Sequence, residues 1–332
     1  MASMVLLIQR LGTQSIQKVS APNTHNKEDA LGLIRKNPSP SVATKLAWGA
    51  GILATVALAP RALLHLVPKS TWQHIEECTL YAGTISIPKS KERLKTVFES
   101  LKEQLPNLES HSLSLANNQT TQTWYHPAQE GKPTFLLSLG NAQPLDGLNA
   151  YKEYIKQGYG IITYEYPGFG TTNGQPTEAS IMQTAKAVSD FLIQKKGIPT
   201  TQQVLVGHSL GCNPSVHLAE TAPYKALILN APMNSFTELI RKKYGWLTRW
   251  FPIHYHAPSR WHNDQILNQN SIPVFVIAFK KDPVIQPELS QKLYQIAQTT
   301  NKTFHSVEGE GHVALPSDVL KEVTDFLNRL DS

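Results

Sequence analysis

QVLVGHSLGCN, residues Gln203 to Asn213, carries a run of Val and Leu into a serine wedged between two glycines. The apolar QVLV has the character of a strand buried on both faces, and LGCNPSVHLAE after the serine has that of a helix. A strand that passes straight into a helix through Gly-x-Ser-x-Gly holds the serine in a strained conformation. Gly207 and Gly211 then remove side chains that would collide in the turn. The Ser209 hydroxyl is left projecting beyond the carboxyl end of the sheet, where the following helix aims its backbone N–H groups and the positive end of its dipole.

Working outward, similar short runs recur at 133–140 (PTFLLSLG), 160–168 (GIITYEYPG), 225–232 (KALILNAP), 273–282 (PVFVIAFKKD) and 302–312 (KTFHSVEGEGH). Helix-like stretches at 147–156, 177–196, 210–221, 287–299 and 317–330 separate them. This alternation predicts an α/β fold with a doubly wound, mostly parallel sheet. The sheet is entered through antiparallel strands expected at 79–87, 111–117 and 121–127, with a helix at 89–105.

A serine hydroxyl is a weak nucleophile at neutral pH, so this chemistry needs a histidine base and an acid to orient it. Asp282 stands in the loop directly after FVIAFKK, and His312 in the Gly-flanked loop after the last strand. Glu308 and Glu310 are rival acids, and Asp282 could equally serve as a helix cap. His208, inside the motif, reads as a packing or hydrogen-bonding residue whose side chain points away from Ser209. Acyl transfer also needs donors for the developing oxyanion. The backbone N–H of Leu210 is one candidate; the other is that of Asn141, with Ala142 second, in a loop where Gly140 permits close approach. The alternative reading of GNAQPLDG is a plain turn.

The chain has 332 residues, of which 41% are hydrophobic and 17% charged, enough for a large core and too few charges for global disorder. Its net charge of +6 belongs to the N-terminal extension: residues 1–72 hold eight Lys/Arg against two Asp/Glu, and the remainder is balanced. That distribution excludes a nucleic-acid-binding catalytic domain, which needs clustered positive charge on the folded unit, and suits an anionic membrane surface. Two cysteines, Cys78 and Cys212, are too few for a disulfide scaffold and read as buried thiols.

Three regions follow. Residues 1–45 are a basic, loosely structured tail, 46–67 an apolar segment, and 79–332 the α/β domain. A spanning helix wants about 20 apolar residues, and the clean run from Leu46 stops at Pro60 before Arg61. The expectation is membrane association through 46–67, spanning or interfacial, with orientation open and a cytoplasm-facing domain favoured by the positive-inside rule.

With Ser209, Asp282 and His312 in that chain order, the sequence resembles the α/β-hydrolase superfamily over roughly residues 81–332. It is most similar to a branch of membrane-anchored serine hydrolases, esterases and thioesterases that includes protein depalmitoylases. The resemblance rests on Gly140-Asn141, YPGFGTTNGQPTE (Tyr166 to Glu178), GHSLG and the GEGH turn. It departs at Leu139, where the branch commonly has histidine, and in having no cysteine before Cys78 for a lipid anchor. The resemblance implies a serine hydrolase of a carboxylic ester or thioester on a small-molecule, lipid or acylated substrate, with no metal or organic cofactor. A peptidase with the same triad, or a non-catalytic membrane-tethered module, remains the alternative. Residues 236–270 are expected to form a small helical cap, where Trp246, Trp250, Phe251, Tyr255 and Trp261 either line an acyl pocket or simply pack.

Overall fold

The computed structural model describes residues 81, 87, 90–115, 119–141, 143–245, 261–315 and 319–331. The tail at 1–45, the apolar segment at 46–67, Cys78, Ala142 and four of the five cap aromatics therefore lie outside the described residues, as does most of the strand expected at 79–87. Among the described residues no helix is long and apolar enough to cross a membrane.

An eight-stranded sheet, ordered β1-β2-β4-β3-β5-β6-β7-β8, organises the chain. Its first two strands, β1 (Glu109–Ser114) and β2 (Thr120–His126), pair antiparallel, and β2 continues antiparallel onto β4 (Gly160–Tyr164). The others, β3 (Thr134–Ser138), β5 (Gln203–His208), β6 (Ala226–Asn230), β7 (Val274–Lys281) and β8 (Lys302–Glu310), join β4 in a parallel array. The fold is the expected α/β arrangement.

Strand periodicity divides the core in two. Leu136, Leu205, Leu227 and Val276 face one layer, while Phe135, Leu137, Val204, Val206, Ile228 and Ile277 face the other. Against the first lie α3 (Glu178–Lys196), α4 (Cys212–Leu218) and α7 (Pro287–Ile296); against the second lie α1 (Lys91–Gln104), α2 (Lys152–Lys156) and α8 (Leu320–Asn328). With helices on both faces, the central strands are buried throughout, which explains why they read as unbroken apolar runs.

The long helix α3 shows how local sequence sets an element. Thr177 and Ser180 form a reciprocal capping box, Ile181, Ala185, Val188 and Leu192 make the buried stripe, and Gly197 ends it at φ 70°. Three predicted helices differ in detail. The stretch at 147–156 starts as a 3-10 turn over Leu145–Tyr151, the helix at 210–221 shrinks to α4, and the last begins at Leu320.

The cap expected at 236–270 is described at its ends alone, as α5 (Phe236–Tyr244) and α6 (Asn263–Leu267). Trp261 packs rather than lines a pocket: its ring is fully buried and meets His217 edge-on at 5.3 Å.

The chain leaves β3 toward β4 on one side and returns to β5 on the other, so the loops after β3 and β5 diverge from adjacent strand ends. Such reversal points are where open α/β sheets form crevices. Register places Ser138 of β3 opposite Gly207 of β5, and His208 opposite Asn230 of β6.

Candidate active site

Immediately beyond β5, Ser209 begins a 3-10 turn, Ser209–Gly211, that leads into α4. Ser209 holds φ 53°, a left-handed conformation unusual for a residue with a side chain and of the kind that costs about 1–3 kcal/mol. The glycines serve as the sequence suggested. A Cβ on Gly207 would lie 2.5 Å from the Cys212 Cα, and one on Gly211 would overlap the Ser138 carbonyl oxygen. The serine turn is therefore packed directly against the end of β3, the strand that leads into Gly140 and Asn141.

The three residues singled out as nucleophile, base and acid meet. His312 Nε2 lies 2.8 Å from Ser209 Oγ, and His312 Nδ1 lies 2.8 Å from Asp282 Oδ2. Because a carboxylate can only accept, Nδ1 carries the proton and donates to Asp282; Nε2 is then the acceptor for the Ser209 hydroxyl. Asp282 is fixed from behind, its Oδ1 accepting the backbone N–H groups of Val284 at 2.7 Å and Ile285 at 2.8 Å. Its side chain is 1% exposed, against 16% for that of His312. Of the rival acids, Glu308 is exposed and pairs with Lys280; the side chain of Glu310 lies outside the described part.

Supporting residues come from strands the motif does not touch. Asn230, the last residue of β6, donates from Nδ2 to the Val313 carbonyl at 2.9 Å and so pins the loop that carries His312. Tyr166 donates its hydroxyl to the Leu139 carbonyl at 2.6 Å, fixing the chain just before Gly140. Behind Tyr166 the YPGFGTTNG turn wraps the buried Glu165 carboxylate, which accepts from the Thr171 backbone and from the hydroxyls of Thr171 and Thr172. Burial raises the pKa of Glu165 in spite of these donors. Gly170, at φ 50°, leaves the space that carboxylate fills.

The loop after β3 closes on itself. Gly140 N–H donates to Gln143 Oε1 at 2.6 Å, while Gly140 C=O accepts from Gln143 N–H at 3.2 Å. Leu210 is buried within the serine turn, and Asn141 is half-buried.

His208 departs from its expected orientation. It does not turn away from the site: its ring lies against that of His312, centroids 5.1 Å apart, and its Nδ1 reaches Gln143 Oε1 at 2.9 Å. Burial, aided by the neighbouring His312, pushes its pKa down to about 3. Cys212 is buried as expected, its Sγ between the Gly207 and Asn230 carbonyls at 3.3 Å each, and burial pushes the thiol pKa up. Among the described residues no group of three or more His, Cys, Asp or Glu is arranged to hold a metal ion.

Sequence reading missed Asn230, Tyr166 and Gln143. Gln143 lay within a loop already singled out, and Asn230 was visible as a polar residue closing an apolar strand. Two shallow cavities, of about 360 and 630 Å³, open on the β1–β2 flank and share no lining residue with Ser209, Asp282 or His312.

Comparison with known proteins agrees with this architecture. A family model described as the alpha/beta hydrolase fold matches residues 146–252. An uncharacterised protein of Mycobacterium tuberculosis is 30% identical over 193 residues, covering 57% of this chain and 66% of that protein. The lysophosphatidylserine lipase ABHD12 of Macaca fascicularis is 29% identical over 195 residues, 53% of this chain and 48% of that one. The chain thus spans about half to two thirds of the length of these curated relatives. Among solved structures, an alpha-beta hydrolase of Vibrio vulnificus superposes with a TM-score of 0.61 at 18% identity, over 77% of this chain and 92% of that chain.

Proposed function

The chain belongs to the α/β-hydrolase superfamily, and from there we propose that it is a serine hydrolase of carboxylic esters or thioesters, acting on lipid-like or acylated substrates. The observation that carries this reading is the unbroken hydrogen-bond path from the Ser209 hydroxyl through His312 to Asp282, 2.8 Å at each step.

In this reading Ser209 Oγ attacks the acyl carbon as His312 Nε2 accepts its proton. Asp282 holds the ring in the tautomer that leaves Nε2 free to accept, and it stabilises the imidazolium that forms. The backbone N–H groups of Leu210 and Asn141 receive the oxyanion. The imidazolium then protonates the leaving alcohol or thiol. Water, activated by the same nitrogen, attacks the acyl-enzyme and returns Ser209. Side chains and backbone amides suffice for every step.

Two features support an acylated substrate. Lysophosphatidylserine lipases are among the relatives. Val284 and Val313 are 41% and 54% exposed, and they stand in the loops that carry Asp282 and His312. Large exposed aliphatic side chains next to a polar site suit an alkyl chain that must leave water. Membrane association through residues 46–67 is part of the proposal and rests on their apolar run and basic flanks.

A fluorophosphonate probe and a panel of p-nitrophenyl esters and acyl-CoA thioesters test the reading. The wild-type chain should be labelled and turn over esters, and Ser209→Ala should abolish both while remaining folded. Equal labelling of the two forms excludes Ser209 as nucleophile. Preferential cleavage of peptide amides makes the protein a peptidase, and absence of labelling and turnover favours a binding module. Deletion of residues 1–72 should release the protein from membranes; continued sedimentation with them locates the tether elsewhere.

A further inference from the structure

We infer that His208 and Gln143 are a positioning pair for acyl transfer, holding the Gly140–Asn141 loop and the face of the His312 ring in one fixed geometry; this rests on the serine-hydrolase reading above. The two residues stand 65 positions apart and belong to neither the nucleophile-base-acid path nor the backbone donors. Their contacts nevertheless join both sides of the site.

Gln143 Oε1 accepts from Gly140 N–H at 2.6 Å and from His208 Nδ1 at 2.9 Å. The backbone N–H can only donate, so the amide oxygen faces this junction and the amide orientation is determined. His208 must therefore carry its proton on Nδ1. Its Nε2 is left as a bare acceptor, buried and without a hydrogen-bond partner. The junction is tightly filled: a Cβ on Gly140 would fall 2.8 Å from His208 Nδ1 and 2.9 Å from Gln143 Oε1. The glycine is thus required by the pair itself, in addition to any approach of substrate to the loop.

On its other side the His208 ring packs on His312, centroids 5.1 Å apart and planes 40° from parallel. It thereby limits rotation of the base away from Ser209. His312 is the titratable group that bears on it, with Asp282 behind that ring. His208 is 3% exposed and is held neutral by burial and by this neighbour. Neutrality matters to the chemistry. His312 becomes an imidazolium each time Ser209 attacks, and a second cation in contact with it would oppose that step. A neutral, tautomerically fixed ring gives support without that penalty.

The test combines kinetics with histidine ¹⁵N NMR on the full chain. His208→Phe keeps the packing surface and removes the donor, and Gln143→Ala breaks the junction from a half-buried position where misfolding is less of a risk. Each should lower kcat for p-nitrophenyl butyrate by about tenfold or more with KM within about twofold, since a loosened oxyanion loop acts on the transition state. His208→Gln, which restores an N–H donor, should recover part of the loss. The rate of fluorophosphonate labelling should fall in parallel.

By NMR, His208 should stay a neutral Nδ1–H tautomer from pH 7 to pH 4.5 in the wild-type chain, and Gln143→Ala should abolish that fixed tautomer. Wild-type kcat in both the Phe and Ala variants, no recovery with Gln, or a His208 ring that titrates near neutrality overturns the proposal. The NMR signal needs no substrate, so failure of the pair is distinguishable from failure of the hydrolase reading. The latter would appear as a wild-type chain with neither turnover nor labelling, and it would take this proposal with it.

Discussion

Acidification should expose His208 as a stability element. The perturbation is a drop from pH 7 to pH 4.5, compared between the wild-type chain and His208→Gln. In the folded protein burial lowers the pKa of this ring from 6.5 to about 3. Between those values the unfolded chain binds a proton that the folded chain does not, so stability falls as pH falls. The contribution is fully present above the unfolded value and is lost as pH drops toward the folded one. Each pH unit in that window costs about 1.4 kcal/mol, and integrating from pH 7 to pH 4.5 gives a loss of about 2.5 kcal/mol from this one group. His126 and His217, also lowered by burial, add losses of the same sign, whereas Glu165, raised by burial, acts in the opposite sense. The glutamine variant keeps those three groups and lacks the His208 proton, so the difference between the two proteins isolates it. Urea unfolding at half-unit pH steps is the assay. A wild-type minus variant difference that stays flat across this range would refute a neutral, buried ring at position 208.

Asp282→Asn should lower kcat for an ester by about 10⁴-fold, because an amide in place of Oδ2 no longer fixes the productive His312 tautomer; a loss below about tenfold would place the acid elsewhere. Gly211→Ala drives a methyl group into the Ser138 carbonyl and should separate the serine turn from the loop after β3. Its expected signature is a lowered Tm together with lost probe labelling, and unchanged values for both would contradict the packing described. Replacing Val284 and Val313 together by Ser should reduce the ratio of kcat/KM for p-nitrophenyl decanoate over acetate by about tenfold, given roughly 0.8 kcal/mol per buried methylene. An unchanged ratio would separate these residues from the acyl chain.

What the sequence disclosed follows from how such sheets are built. Ser209, Asp282 and His312 sit one or two residues beyond strand ends, and in a parallel sheet every strand end emerges on the same rim, so position along the chain nearly fixes position in space. The two-sided burial of the strands was equally legible, since Leu205 and Val206 serve opposite layers and both must be apolar. The supports were harder to find. The contact of Gln143 with His208, like that of Tyr166 with Leu139, spans a long stretch of chain and depends on rotamers that no periodicity encodes. His208 illustrates the limit. Strand alternation suggests that it faces opposite to Ser209, yet Ser209 at φ 53° has already left the strand, and alternation ceases to apply at that residue. Trp261 was aromatic in an aromatic-rich insertion, and its composition could not distinguish a pocket wall from a packed core ring.

The sheet also imposes an order of assembly. The nucleophile and the loop that serves it belong to central strands, whereas His312 follows β8, the final strand, which pairs at the outermost edge. Domains synthesised from the N-terminus settle their early strands first. A nascent chain that still lacks that edge holds the alcohol in its turn without an imidazole beside it. Potency therefore arrives at the end of translation, and a partly made polypeptide passes through the cell chemically silent.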